Sequence, residues 1–188
     1  GVIVGRTNKG DVKIFLVDDH PAVRQGLRLL FTQSGYQVCG EAGDIETTLA
    51  RVEDAAPDIV IVDLSLHRES GMELLKKLRG GGMRIIVYSM HEDPDLIQRA
   101  FGQGASGYVT KRDHISALLE AVEQVWAGNR YISRAMSGLL SGRAMPAKGA
   151  PDILSMREKE IMRLIGNGAG NAEVAETIGI TVRTLETY

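Results

Sequence analysis

Residues 59–64 have the sequence Ile-Val-Ile-Val-Asp-Leu, and this stretch decides the fold. Four consecutive β-branched residues without polar alternation are typical of a strand that is buried on both faces of a sheet. Such sheets are usually parallel and are covered by helices. The stretch therefore predicts a central strand of an α/β domain, and Asp63 stands at the end of that strand.

The rest of the N-terminal two-thirds of the chain follows the same pattern. Four further short apolar runs, at residues 13–17, 36–40, 84–89 and 107–110, predict additional strands. Five stretches with apolar residues at helical spacing alternate with them, and these include Leu27, Leu49, Leu75, Ile97 and Leu118. Five strands alternating with five helices predict an α/β fold with a doubly wound, five-stranded parallel sheet.

The pattern changes after Trp126, which places the first domain at residues 12–128. Residues 129–151 are rich in Gly, Ser, Arg, Ala and Pro, which predicts a linker with a short helix near residues 134–140. Residues 152–188 predict a second, small all-α domain, in which Gly179 separates two short helices as in a helix-turn-helix. Its third helix still continues at Tyr188, so we expect this domain to be truncated at its C-terminus.

Composition excludes several classes of protein. The 188 residues include 22 Lys and Arg against 24 Asp and Glu, and the only cysteine is Cys39, so a disordered polyelectrolyte and an internal disulfide framework are excluded. The longest apolar runs are far shorter than the ~20 residues that span a bilayer. The first ten residues lack the apolar segment of a signal peptide. We therefore expect a cytoplasmic chain without a membrane partner.

Polar residues follow most of the predicted strands. Ligands of doubly wound sheets bind outside the carboxyl ends of the strands, and there the chain places Asp18, Asp19, Asp63, Ser89 and Lys111. Neighbouring carboxylates repel one another unless a cation offsets their charge, and Mg²⁺ prefers oxygen ligands and a phosphate. A carboxylate can attack phosphorus, while a lysine and a hydroxyl offset the charge on the phosphoryl oxygens. The sequence thus predicts a magnesium-dependent phosphoryl site.

Specific motifs give this segment a family resemblance. They are Val17-Asp18-Asp19-His20, Val62-Asp63-Leu64 with Gly71 eight residues after Asp63, Ser89, and residues 104–111 with the sequence Gly-Ala-Ser-Gly-Tyr-Val-Thr-Lys. With them, residues 12–128 resemble the flavodoxin-like receiver domain of two-component response regulators.

The resemblance implies a role for each matching residue. Asp63 would accept a phosphoryl group from a sensor histidine kinase, with Lys111 and Ser89 assisting. Asp19 and Asp63 would bind Mg²⁺ directly, Asp18 through water, and Ser65 through its backbone carbonyl. Ser89 and Tyr108 would form a switch pair. His20, His91 and His114 are expected to be loop residues rather than ligands, because the family's metal site uses oxygens.

The second domain resembles the LuxR-type helix-turn-helix. The matching residues are 154–158 (Leu-Ser-Met-Arg-Glu), 171–175 (Asn-Ala-Glu-Val-Ala), 178–180 (Ile-Gly-Ile) and 184–185 (Thr-Leu). Both halves together resemble a transcription regulator of the NarL/FixJ type, which is not an enzyme and which dimerises when phosphorylated. The third helix would then enter the major groove of DNA and bring Arg183, Thr184, Thr187 and Tyr188 near it.

The charge of the second domain leaves its function open. Residues 151–188 contain four basic and six acidic residues, and Ala172 and Glu186 replace lysines that are common in the family. Because phosphate contacts supply most non-specific DNA affinity, we expect DNA binding by these 188 residues to be weak or absent. The alternative is a receiver with a degenerate effector domain that acts through protein contacts.

Two other classes fit the sheet less well. An aspartyl phosphatase would have a second acid two residues after its nucleophile, where this chain has Ser65. A flavin-binding enzyme would have a phosphate loop after the first strand, where Asp18 and Asp19 would repel a phosphate unless a metal intervened. An enzyme of either class remains the second hypothesis, and a colourless protein without phosphatase turnover would dismiss both.

Overall fold

The computed structural model describes residues 9–66 and 68–139. Six strands form a parallel sheet in the order β2-β1-β3-β6-β7-β8, and β4 and β5 form a separate antiparallel pair. The strands are β1 (Lys13–Val17), β2 (Gln37–Ala42), β3 (Ile59–Val62), β4 (Ser65–Leu66), β5 (Glu69–Ser70), β6 (Arg84–Ser89), β7 (Gly107–Thr110) and β8 (Tyr131–Ile132). The flanking helices are α1 (Pro21–Gln33), α2 (Ile45–Ala55), α3 (Gly71–Leu78), α4 (Pro94–Gly102), α5 (Ser116–Trp126) and α6 (Arg134–Leu139), and a short 3₁₀ helix covers Lys9–Asp11. The predicted fold class is confirmed.

The sheet has one strand more than the five expected. Strand β8 pairs in parallel with β7, with Gly107 opposite Tyr131, and it lies in the segment that the sequence analysis interprets as a linker. The Tyr131 ring is buried, and its hydroxyl donates a hydrogen bond to Glu120 Oε2 at 3.0 Å. Two residues are too few to show a strand period, which is why the sequence does not reveal β8. Helix α6 agrees with the short helix expected near residues 134–140.

The described residues divide into two compact units, one before and one after the boundary between Val87 and Tyr88, which falls inside β6. In the first unit, β1 and β3 form the centre, and all four residues of β3 are buried. Phe15 and Leu16 of β1 are also buried without exposed surface. The central strand that the sequence predicts within residues 59–64 is therefore observed, and it ends at Val62, two residues earlier than the predicted stretch.

The second unit, within residues 88–139, is built around β7. All four residues of β7 are buried, and α5 covers it with apolar side chains on one face, namely Leu118, Ala121, Val122 and Val125. Because α5 repeats these residues at helical spacing, its buried face agrees with the sequence pattern.

The predicted helix-turn-helix at residues 152–188 lies outside the described residues, together with Arg183, Thr184, Thr187 and Tyr188. Within residues 9–66 and 68–139, no helix is both long enough and apolar enough to cross a membrane.

Candidate metal centre

Strand register brings the two acidic strand ends of the first unit together. Val17 of β1 lies opposite Val62 of β3, so the residues that follow both strands emerge side by side. The Asp63 N–H donates to the Val17 carbonyl at 2.9 Å, and the Asp18 N–H donates to the Ala42 carbonyl at 3.1 Å. Asp18 and Asp63 are both buried. The sheet itself therefore holds two carboxylates at one edge.

Four side chains converge at this edge. One ligand atom from each of Asp18, Asp19, His20 and Asp63 lies within 4.8 Å of the corresponding atoms of the others. Three carboxylates in so small a space repel one another, and a divalent cation would offset their charge. The oxygen donors suit Mg²⁺. The structure thus brings together the three aspartates that the sequence predicts, and it adds His20, which was expected to be only a loop residue.

The loop between β1 and α1 is ordered by its own hydrogen bonds. Asp18 Oδ1 accepts the His20 N–H at 2.9 Å and lies 3.2 Å from His20 Nδ1. His20 Nδ1 also lies 2.9 Å from Asp19 Oδ1. Pro21 then starts α1 at its first turn, a position that requires no N–H donor. This geometry directs the His20 ring back toward the carboxylates.

Arg24 of α1 makes contacts that the sequence does not predict. Its Nη1 donates to the Asp18 backbone carbonyl at 2.6 Å, and its Nε donates to Glu41 Oε1 at 3.1 Å. Arg28 binds the other oxygen of Glu41 at 2.9 Å. Partial burial raises the pKa of Glu41, but hydrogen bonds and charge from Arg28 and Arg24 together hold that pKa below its usual value. Arg24 thereby connects β2 to the loop that joins β1 to α1.

The segment after Asp63 turns sharply. The Ser65 N–H donates to Asp63 Oδ1 at 3.0 Å, and the Gly71 N–H donates to the Leu64 carbonyl at 2.9 Å. A Cβ at Gly71 would overlap the Asp63 backbone carbonyl, so this position requires glycine. The predicted ligand role of the Ser65 carbonyl stays a prediction, while the Ser65 N–H helps to orient the Asp63 carboxylate.

Ser89 and Lys111 lie at adjacent strand ends of the second unit. The Lys111 N–H donates to the Ser89 carbonyl at 2.8 Å, and Ser89 is fully buried. Lys111 is partly buried, with Nζ 5.7 Å from the centroid of the Tyr88 ring. The two residues predicted to assist phosphoryl transfer are thus neighbours.

The predicted switch residues share one backbone partner. The Tyr108 hydroxyl donates to the His91 carbonyl at 2.8 Å, and the His91 N–H donates to Ser89 Oγ at 3.2 Å. The Tyr108 ring is fully buried. Both switch residues therefore hold the loop that follows β6.

Comparisons with known families match both parts of the chain. The response regulator receiver domain matches residues 14–123, and the luxR family of bacterial regulatory proteins matches residues 152–188. The transcriptional regulatory protein MctR of Rhizobium johnstonii is 32% identical over 185 residues, with 97% of this chain and 86% of the relative covered. The nitrate/nitrite response regulator NarL of Escherichia coli is 32% identical over 189 residues, with 97% and 88% covered.

Solved structures agree with the fold. A two-component response regulator of the LuxR family from an Aurantimonas species is 39% identical, with a TM-score of 0.64, and the match covers 66% of this chain and 91% of that protein. RcsB of Salmonella enterica bound to a promoter has a TM-score of 0.64 at 23% identity, covering 93% of this chain and 86% of that protein. The second likeness concerns the fold alone.

Proposed function

The chain belongs to the response regulators that combine a receiver domain with a LuxR-type DNA-binding domain, and we propose that its Asp63 accepts a phosphoryl group from a sensor histidine kinase. Members of the family are transcription regulators rather than classical enzymes. The proposal retains the domain limits 12–128, 129–151 and 152–188, and it assigns the protein to the cytoplasm.

The observation that carries the proposal is the meeting of Asp18, Asp19 and Asp63 within 4.8 Å. Asp19 and Asp63 would hold Mg²⁺ directly, Asp18 through water, and Ser65 through its backbone carbonyl. When bound, Mg²⁺ offsets negative charge on the carboxylates and on the phosphoryl oxygens. The buried Asp19 Oδ1 accepts no hydrogen bond from the described residues, so it is available to a cation.

The side chains of this protein would carry the transfer as follows. A carboxylate oxygen of Asp63 attacks the phosphorus of the kinase phosphohistidine, and the bond from phosphorus to the histidine nitrogen breaks. The nitrogen keeps the electron pair of that bond and takes a proton from solvent, which leaves an acyl phosphate on Asp63. The Lys111 ammonium and the Ser89 hydroxyl stabilise the charge on the phosphoryl oxygens.

The acyl phosphate would then change the switch. The Ser89 hydroxyl would move toward the phosphoryl group, with the Tyr108 ring turned inward, where it is fully buried. Because both side chains bind the backbone of His91, a movement of Ser89 changes the loop at residues 90–93 directly. A shift of this equilibrium would favour a homodimer and change DNA binding by the LuxR-type domain, with Arg183, Thr184, Thr187 and Tyr188 near DNA.

Intact mass spectrometry after incubation with acetyl phosphate and Mg²⁺ tests the phosphoryl acceptor. Wild-type protein is expected to gain the mass of one phosphoryl group, and Asp63→Asn is expected to gain none. Asp54→Asn is the matched control, because Asp54 is an exposed aspartate on α2. An equal gain in Asp63→Asn, or none in wild type, would contradict the proposal.

A second candidate function is supported by the charge of residues 151–188, which is net −2. A receiver with this effector domain could act through protein contacts instead of DNA. Fluorescence anisotropy with a labelled duplex, measured with and without acetyl phosphate, separates the candidates. Phosphorylation-dependent binding that weakens as salt increases supports the DNA-binding function. A phosphorylation-dependent dimer without DNA binding supports the protein-contact function.

A further inference from the structure

Arg24 holds the peptide bond that joins Asp18 to Asp19. Its Nη1 donates to the Asp18 backbone carbonyl at 2.6 Å, and only 17% of the Arg24 side chain is exposed to solvent. A guanidinium that donates to a carbonyl in such a position forms a strong, charge-assisted hydrogen bond. The Asp18 N–H donates to the Ala42 carbonyl at 3.1 Å, so both backbone groups of Asp18 are fixed.

The Asp18 carbonyl controls the direction of Asp19. A peptide unit is planar, and the plane that contains this carbonyl oxygen also contains the nitrogen and the Cα of Asp19. A hydrogen bond that fixes the oxygen therefore fixes the peptide from which Asp19 extends toward the other carboxylates of the site. Arg24 thus acts on the position of a proposed metal ligand through a backbone contact.

Glu41 fixes the guanidinium itself. Arg24 Nε donates to Glu41 Oε1 at 3.1 Å, while Nη1 of the same planar group binds Asp18. Because the guanidinium is rigid, a bond at Nε determines where Nη1 points. Glu41 also offsets the positive charge of Arg24, which would otherwise repel a cation at the neighbouring carboxylates. Arg24 therefore orders the loop at little electrostatic cost to metal binding.

The loop after β2 closes over this contact. A Cβ at Gly43 would lie 3.1 Å from Arg24 Nη1, 3.7 Å from the Asp18 carbonyl oxygen and 3.8 Å from the Asp19 Cα. The backbone at Gly43 therefore packs against the guanidinium and the peptide together. A solvated surface ion pair, which contributes little, lacks such an enclosure.

We propose that Arg24 is a positioning residue of the metal site, which orients Asp19 for Mg²⁺ before the ion binds. The inference rests on the proposed function, since it concerns the same oxygen ligands, with Asp19 and Asp63 binding directly and Asp18 through water. Groups that orient metal ligands without touching the metal raise its affinity, because the ligands then lose less freedom on binding. Loss of the Arg24 contact is therefore expected to weaken Mg²⁺ binding although every ligand remains.

Arg24→Gln tests the proposal with little change elsewhere. The amide nitrogen of the introduced glutamine can take the place of Arg24 Nε beside Glu41, but the side chain is too short to reach the Asp18 carbonyl. Mg²⁺ titration of the complete chain without a phosphodonor, followed by two-dimensional amide NMR, is expected to give a dissociation constant about tenfold above that of wild type.

Arg28→Gln is the matched control. Arg28 donates to Glu41 Oε2 at 3.0 and 2.9 Å, so this variant removes the same charge from beside the same carboxylate. Its Mg²⁺ affinity is expected to stay close to that of wild type. A wild-type dissociation constant in Arg24→Gln, or an equal loss in Arg28→Gln, would overturn the proposal.

Amide hydrogen exchange of the metal-free protein gives a readout that a general loss of stability does not mimic. The His20 N–H donates to Asp18 Oδ1 at 2.9 Å, so its exchange reports the order of this loop. Arg24→Gln is expected to speed exchange at His20 more than in β3, whereas global destabilisation speeds exchange in β3 as well. Unchanged exchange at His20, or an equal increase in β3, would contradict positioning by Arg24.

Arg24→Lys is a second variant, which keeps the charge. Its ammonium group can reach the Asp18 carbonyl, so Arg24→Lys is expected to bind Mg²⁺ more tightly than Arg24→Gln. An affinity at or below that of Arg24→Gln would show that the contact with Asp18 is not the cause. Circular dichroism melting of each variant establishes that the titrations are made on folded protein.

The design also separates this inference from the proposed function. Mg²⁺ binding is measured without a phosphodonor, and phosphoryl acceptance is measured on wild type by mass. Phosphorylated wild type, together with unchanged Mg²⁺ affinity in Arg24→Gln, defeats the inference alone. Weakened Mg²⁺ binding in Arg24→Gln, together with a wild type that gains no phosphoryl group, defeats the proposed function alone.

Discussion

The Tyr108 hydroxyl donates a hydrogen bond to the backbone carbonyl of His91 at 2.8 Å. The N–H of His91 donates to Ser89 Oγ, so one peptide segment joins the two predicted switch residues. A movement of the Ser89 side chain can therefore be transmitted to the Tyr108 ring through the backbone of His91 alone. Coupling of this kind needs no contact between the two side chains themselves.

Removing the hydroxyl of Tyr108 should weaken this connection. Tyr108→Phe keeps the buried ring and removes the bond to the His91 carbonyl, so we expect a loss of about 1 kcal/mol in the free energy of unfolding. Urea denaturation followed by circular dichroism measures the loss. Unchanged stability would show that the His91 carbonyl finds another donor, and the bond would then have no structural role.

Gly71 is required next to the phosphoacceptor. The methyl group of Gly71→Ala would overlap the Asp63 backbone carbonyl, so we expect a loss of about 1–3 kcal/mol in unfolding free energy. Displacement of Asp63 should also slow phosphoryl acceptance from acetyl phosphate, measured by mass against time.

Gly26→Ala is the control for that substitution. Gly26 lies inside α1, where an added Cβ meets no atom within 4 Å. Alanine has a higher helix propensity than glycine. This variant is therefore expected to gain about 0.5–1 kcal/mol in unfolding free energy. A loss for Gly26→Ala as large as that for Gly71→Ala would show that the overlap with Asp63 is not the cause.

Ala56 ends α2 in a strained conformation. Its φ of 45° and ψ of 57° are left-handed, a region that costs a residue with a Cβ about 1–2 kcal/mol and costs glycine little. Ala56→Gly is therefore expected to raise the thermal midpoint. Ala50→Gly, in the exposed interior of the same helix, is expected to lower it, because glycine there loses about 1 kcal/mol. Thermal midpoints that change in the same direction in both variants would contradict strain at Ala56.

Glu41 should make stability depend on acid pH. Its pKa in the folded protein lies below the unfolded value of 4.5, since hydrogen bonds and charge from Arg28 and Arg24 outweigh partial burial. The ionised form is therefore favoured by folding, and its contribution is complete above pH 4.5 and decreases as pH falls through the lower, folded pKa.

Urea denaturation of wild type and Glu41→Gln across pH 3–7 measures this contribution, with the range set about the ordinary carboxyl pKa. The stability difference between the two proteins is expected to be largest near neutral pH and to shrink in acid. A difference that is constant with pH would contradict the ionic role of Glu41.

Strands with strong local signals are predicted well. The residues expected for β1, β6 and β7 agree with the observed bounds, since each run is apolar and has polar residues at its ends. The expected start and end of β2 are one and two residues early. The end is missed because Glu41 and Ala42 carry no strand signal and are held by pairing with β1. Strand β8 is likewise decided by its pairing with β7.

The sequence by itself determined the α/β alternation, the three aspartates at strand ends, and the family motifs around Asp63, because each of these follows from residue type and spacing along the chain. Only the tertiary structure decided that His20 turns its Nδ1 to the carboxylates, that Arg24 holds the Asp18 carbonyl, and that His91 joins Ser89 to Tyr108. Such contacts depend on loop dihedral angles and on strand register. The sequence carries no periodic pattern from which such contacts could be predicted.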